Sequence, residues 1–128
     1  MSRIVKTVEI EGKPAVALFD TGAYQSYVRR ELIAEVPKRT LPEPYRVGLG
    51  GKTIEVTEAC VAIARIDGLS LDAEVVPVED LGSADGHRLD AVIGALVMEK
   101  WEIKLDPRSG TLDLEGLRRR EFTEFQVG

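Results

Sequence analysis

Five consecutive apolar residues, Ala15-Val16-Ala17-Leu18-Phe19, run directly into Asp20-Thr21-Gly22. A run with no polar position reads as a strand buried on both faces. It puts a carboxylate at the tip of a buried strand, on a loop able to hold it rigidly. The surrounding pattern is mostly β. Val5, Val8 and Ile10 lead into Glu11-Gly12-Lys13-Pro14, a hairpin turn that returns into the apolar run. After the Asp-Thr-Gly loop, Tyr27-Val28 reads as extended, and Arg29 to Val36 predicts a short helix stopped by Pro37. Pro42 and Pro44 mark a surface connection. Tyr45-Arg46-Val47 then enters a hairpin whose tip holds Gly48, Gly50 and Gly51. The return strand runs from Lys52 to about Ile66, where Asp67-Gly68 turns it into a strand from Leu69 to Val78.

The polar stretch Glu79 to Leu89 reads as a loop, Ala91-Val92-Ile93 as a buried strand, and Ala95 to Trp101 as one or two helical turns. Ile103 and Leu105 alternate with charges, Asp106 to Gly110 is a turn, and Leu112 and Leu114 alternate again. Many short strands with Gly and Pro turns predict an all-β chain, a small closed β-barrel or sandwich with one short C-terminal helix. The missing βαβ repeat argues against a doubly wound nucleotide-binding fold. The expected organisation is one domain over residues 1–116 and a charged tail over 117–128.

A chain of 128 residues is long enough for one modest core. Its net charge of −5 argues against a nucleic-acid partner held through phosphates. Nothing in it has the apolar length of a membrane span. The segment Met1 to Lys6 is too short and polar for a signal peptide, and the lone Cys60 excludes an internal disulfide. The expected compartment is the cytoplasm.

Asp20-Thr21-Gly22 is followed by Ala23 and Ser26, and about seventy residues later by Ala91-Val92-Ile93-Gly94 and a helix-like segment. Together these motifs resemble the small retropepsin-like (retroviral-type) aspartic proteases, over roughly residues 3–115. Peptide hydrolysis needs one group to take a proton from water and another to give one to the carbonyl oxygen or leaving nitrogen. Two carboxylates held close can do both, because they cannot both ionise easily and so share a proton, the known behaviour of aspartic proteases as a class. The chain carries one such tripeptide and no half-sized second copy. A symmetric homodimer with Asp20 of each chain at the two-fold axis would satisfy the chemistry, and the resemblance implies the same arrangement.

The expected catalytic set is Asp20, Thr21 and Gly22. Gly22 permits a tight bend and turns its N–H towards the carboxylate. The resemblance implies that Thr21 hydrogen-bonds across the dimer base and that the Ser26 hydroxyl supports the aspartate. Ala23 is small enough for a substrate backbone to lie beside it. Gly48-Leu49-Gly50-Gly51 matches the position of the family's flap, a mobile hairpin that closes over substrate. Ala23, Gly48, Leu49, Gly50 and Gly51 are therefore the expected substrate-binding residues. Ile93 and Gly94 match the family's apolar-Gly motif, with Gly94 needed for close approach to the catalytic loop. Tyr24 and Ala95 stand where viral members commonly carry an Asp and an Arg that pair near the dimer base. Dimer contacts should differ accordingly.

His87, the only histidine, sits in a polar loop and reads as solvated. Cys60 reads as a buried structural thiol, and Trp101 as packing against the core or a dimer partner. Arg118-Arg119-Arg120 reads as a solvated tail. Glu79, Asp80 and Asp85 lack the spacing of a calcium loop. The expected activity is that of a homodimeric aspartic endopeptidase acting on extended peptides, with no metal and no organic cofactor. The rival readings are a non-catalytic peptide-binding or assembly module of the same fold and an obligate heterodimer with another Asp-Thr-Gly chain.

Overall fold

The computed structural model describes residues 3–125. The chain opens with β1 (Arg3–Ile10) and β2 (Lys13–Asp20), an antiparallel hairpin in which Arg3 lies opposite Asp20. β3 (Ser26–Arg29), β4 (Arg39–Leu49), β5 (Lys52–Ile66) and β6 (Leu69–Val78) follow. β7 (Ser83–Ala84) and β8 (His87–Arg88) form a minimal ladder, and β9 (Ala91–Ile93) leads into α1 (Ala95–Lys100). β10 (Lys104–Asp106) and β11 (Thr111–Asp113) make a second small ladder before α2 (Glu115–Arg119).

The main sheet runs β1-β2-β9-β3-β6-β5-β4, and a further pairing of β1 with β5 joins its two sides into a ring. The fold is all-β, as the strand and turn pattern predicts. β2 is covered on both faces. Ala15, Ala17 and Phe19 enter the larger core, with Ile93, Trp101 and Leu117, while Leu18 enters a second cluster with Tyr27, Val56, Leu89 and Val92. The unbroken apolar run of β2 is the direct consequence.

Asp90, just ahead of β9, knits three strands together. Its carboxylate accepts the Val16 N–H at 2.8 Å and an Arg29 guanidinium N–H at 2.7 Å. Its backbone donates to the Val16 carbonyl at 2.8 Å and accepts from the Arg29 N–H at 2.9 Å. One side chain thus satisfies donors on both neighbours of β9, where each unmet buried donor would cost about 1–3 kcal/mol.

Four local expectations are corrected. The helix expected over Arg29 to Val36 is a single 3₁₀ turn, Arg30–Ile33, because Arg29 is still extended and pairs with Val78. Pro42 and Pro44 do not break the chain into a connection. They lie inside β4, at the edge of the sheet, where the register shifts between Thr40 and Tyr45. An edge strand with a bulge is where a sheet tolerates residues lacking a donor. The stretch expected to be plain loop holds the β7–β8 ladder around Asp85-Gly86. A second short helix, α2, buries Leu117 completely. Arg119 pairs with Glu102 at 3.1 Å rather than trailing in solvent. Arg120 donates to the Ser70 carbonyl and lies over the Trp101 ring, 5.0 Å from its centroid. Trp101 is buried, donates its indole N–H to the Asp72 carbonyl, and meets Phe122 edge-on at 5.3 Å.

Phe19 has no exposed surface. Phe19→Ala should cost about 3–5 kcal/mol of stability, read as a shift of the urea midpoint at unchanged slope.

Candidate active site

Asp20 ends β2, so the sheet fixes where the carboxylate starts. The loop after it is bound to its own first residue. Gly22 donates its N–H to Asp20 Oδ1 at 2.8 Å, and Ala23 donates to the Asp20 carbonyl at 3.1 Å. Thr21 and Gly22 are exposed at the surface, whereas Ser26, only a few residues on, is buried.

The second support comes from the β9–α1 junction. Gly94 donates its N–H to Ser26 Oγ at 2.9 Å. Ala95 donates to the Ala23 carbonyl at 2.7 Å, and Leu96 to the Tyr24 carbonyl at 3.1 Å. The first N–H groups of a helix have no partner within it, and here the carbonyls of Ala23 and Tyr24 serve as acceptors. The approach is so close that a Cβ on Gly94 would sit 2.1 Å from the Gln25 carbonyl oxygen and 2.8 Å from that of Ala23. The Ser26 hydroxyl therefore ties the β9–α1 junction to the loop that follows Asp20. Ile93 is buried in the larger core and pairs with Phe19, which holds Gly94 beside the end of β2.

β4 and β5 form the long hairpin that reaches back over this loop. Leu49 pairs with Lys52 across Gly50-Gly51, and both glycines have positive φ, 59° and 80°. Two such residues are what a tight two-residue hairpin turn needs. Gly48 lies in β4 itself, opposite Thr53. The tip and the carboxylate face one cleft: Asp20, Ala23, Leu49 and Gly50 line a space of about 310 Å³, with Leu18, Leu81, Leu89 and Val92 as apolar wall and Arg3 at its side. Val47, Leu49 and Ile54 also pack against the apolar cluster beneath. Thus Asp20, Ala23, Leu49 and Gly50 share one cleft, while Thr21 faces a different one, lined by Ala95, Met98, Ile103 and Lys104.

Sequence reasoning missed several contributors. Arg3 gave no signal except its register opposite Asp20, which appears only once the hairpin is known. Tyr27 read as a strand residue, yet it is buried in the apolar cluster beside the cleft. Burial pushes its phenol up, Tyr45 adds to this, and a hydrogen bond with Gln25 opposes it. Tyr45 in β4 donates its hydroxyl to Gln25 Oε1 at 2.8 Å, joining the long hairpin to the exit of the Asp20 loop. His87 is exposed, and burial pushes the Cys60 thiol up, which makes it a poor nucleophile. Asp80 pairs with Lys52 and accepts the Gly82 N–H at 3.0 Å.

A strand-held Asp-Thr-Gly loop under a glycine-tipped hairpin, braced by a second apolar-Gly strand, defines the retropepsin type of aspartic-protease fold. The family model described as aspartyl protease matches residues 6–97, and the chain belongs to that family. No curated protein is a significant sequence match to the chain. Among solved structures, the EIAV protease complexed with the inhibitor HBY-793 superposes with a TM-score of 0.59 at 16% identity, over 82% of this chain and 93% of that one. The retroviral protease-like domain of Ddi1 from Leishmania major gives 0.57 at 13% identity, over 90% of both chains. Lpg0085 from Legionella pneumophila subsp. pneumophila str. Philadelphia 1, a protein with unknown function, gives 0.51 at 9% identity, over 82% of this chain and 91% of that one. At these identities the likeness is one of fold.

Gly94→Ala should displace the Asp20 loop and cost more stability than Ser26→Ala, which leaves one buried N–H unmet at about 1–3 kcal/mol. Denaturant titration of the two variants side by side measures the order.

Proposed function

We propose that the chain is an aspartic endopeptidase that works as a homodimer, each copy supplying one Asp20. The observation that carries this is the shared cleft: Asp20 lies on one wall and the glycine-tipped hairpin on the other, with an apolar wall between them. An extended peptide laid through that cleft would meet the carboxylate below and backbone N–H groups of Leu49 to Gly51 above. One carboxylate of the pair takes a proton from water, which attacks the scissile carbonyl carbon. The other, protonated, gives its proton to the carbonyl oxygen as the tetrahedral intermediate forms. Proton return to the nitrogen then breaks the C–N bond. Thr21 and Gly22 hold the loop, Ser26, Ile93 and Gly94 brace it, and Ala23, Gly48, Leu49, Gly50 and Gly51 contact the peptide. The reaction needs no metal or organic cofactor. In this reading the domain proper is residues 1–116 and the tail is 117–128, of which Leu117 is buried and Arg120 bonds to Ser70, and the chain works in the cytoplasm.

A non-catalytic module of the same fold would have little use for a pair of mutually repelling acids. Asp20→Asn should abolish cleavage of a mixed peptide library between pH 4 and 7 while leaving the solution mass unchanged. Cleavage by the wild type should fall as pH rises, because one carboxyl of the pair must stay protonated. Mass spectrometry of the products reads both, and cleavage that survives in Asp20→Asn would sink the assignment.

A further inference from the structure

The cleft that Asp20 lines holds one charge that the proposed chemistry does not use. Among the described residues of its wall, Asp20 is the one acid and Arg3 the one base, and most of the remainder is leucine, valine and alanine. The register explains how Arg3 comes to be there. Residues directly opposite in an antiparallel pair point to the same side of the sheet. Arg3 lies opposite Asp20, and Val5 opposite Leu18. Asp20 and Leu18 both line the cleft, so β1 sends the Arg3 side chain to that face too.

Arg3 and Asp20 nevertheless form no ion pair, and among the described residues no other carboxylate answers the guanidinium. Arg29, by contrast, holds Asp90 and Glu31, and Arg30 holds Glu58 and Glu79. An unpaired arginine on an open surface is solvated and needs no partner. Arg3 is exposed in the free chain but stands at the side of an apolar cleft. A peptide filling that cleft strips water from the guanidinium, which is unfavourable unless an anion arrives with the peptide. The planar guanidinium offers a carboxylate two parallel N–H bonds.

We propose that Arg3 selects substrates by binding an ionised Asp or Glu side chain close to the scissile bond. The inference rests on the endopeptidase reading of Asp20. With two chains sharing the site, the two-fold axis repeats Arg3 on the other side of the dyad. The preference is then symmetric: an acidic residue is favoured at the same distance on either side of the bond that is cut. The field of the whole molecule works the other way, because a net charge of −5 repels acidic peptides in general. The preference comes from the local cation alone.

A mixed peptide library cleaved by the full chain locates the position: Asp and Glu should be enriched at one place and at its mirror image across the cut. One cleaved sequence is then synthesised with Glu or with Gln there, and kcat/KM is measured for both. The wild type should favour the Glu peptide about tenfold or more, as for other charge-assisted bonds. Arg3→Gln should remove the preference, Arg3→Lys should keep part of it, and Arg3→Glu should turn it towards a Lys peptide. The wild-type preference should also fade as pH drops below about 4.3, where the free Glu side chain takes up a proton. Each ratio is taken within one variant, so a partly unfolded preparation does not alter it. Cleavage without acid enrichment, or a Glu-to-Gln ratio that Arg3→Gln leaves unchanged, would overturn the selection and leave the aspartic-protease reading standing. A pH profile that Arg3→Gln moves equally for both peptides would do the same, making the guanidinium a counter-charge to the dyad. Cleavage only at a fixed distance from a free C-terminus, lost on amidation, would overturn the side-chain assignment in favour of the terminal carboxylate. A wild type that cuts no member of the library would overturn both readings.

Discussion

The site depends on one close contact between two loops far apart in the chain. Gly94 sits so near the carbonyls of Ala23 and Gln25 that no side chain fits there. The hydrogen bonds from Gly94, Ala95 and Leu96 to Ser26, Ala23 and Tyr24 exist only because of that approach. The Asp20 loop has short bonds of its own, yet a loop at the end of a strand is held in place by what lies beneath it. Here that is a buried strand, a helix start and a hydroxyl. Asp90 does the same work at the other end of β9, bonding to Val16 and Arg29. β9 is only three residues long, and it is fixed at both ends by polar contacts that a longer strand would not need.

The flap side rests on different physics. Its hairpin is long, its tip is all backbone, and the contacts that lower it towards Asp20 are apolar: Val47, Leu49 and Ile54 on the cluster around Leu18 and Val92. The Tyr45–Gln25 bond adds a directional tie at the base of that hairpin. Such an exposed bond contributes little net free energy, on the order of 1 kcal/mol, so it sets position more than strength. A hairpin held this way depends on a few apolar contacts and one hydrogen bond rather than on a network of polar ties.

Much of this was legible in the sequence because strands and turns leave local marks. Asp67-Gly68, Gly50-Gly51 and Asp106 to Gly110 announced their turns, and the alternation in Lys52 to Ile66 announced a half-buried strand. The Asp20 loop was legible because Asp20-Thr21-Gly22 follows an unbroken apolar run. What stayed hidden depended on partners distant in the chain. Pro42 and Pro44 looked like an interruption because nothing local says that β4 will be an edge strand. Leu117 looked like part of a charged tail because one buried leucine among arginines has no periodicity to read. Tyr27, Tyr45 and Gln25 meet only after the hairpin folds back, and Arg3 reaches the cleft through register alone.

The bond from Gly94 to Ser26 spans 68 positions of the chain, and it has a consequence for timing. While the chain is being made, Asp20 emerges early, but the strand and helix start that fix its loop come much later. β1 cannot meet β5 until residue 65 is available, nor β2 meet β9 until residue 91 is. Contacts of such long range form late in folding. A growing chain therefore carries its carboxylate on an unsupported loop until Gly94, Ala95 and Leu96, about three quarters of the way along the sequence, are available. The order in which the fold can be assembled makes the Asp20 loop early to be made and late to be fixed.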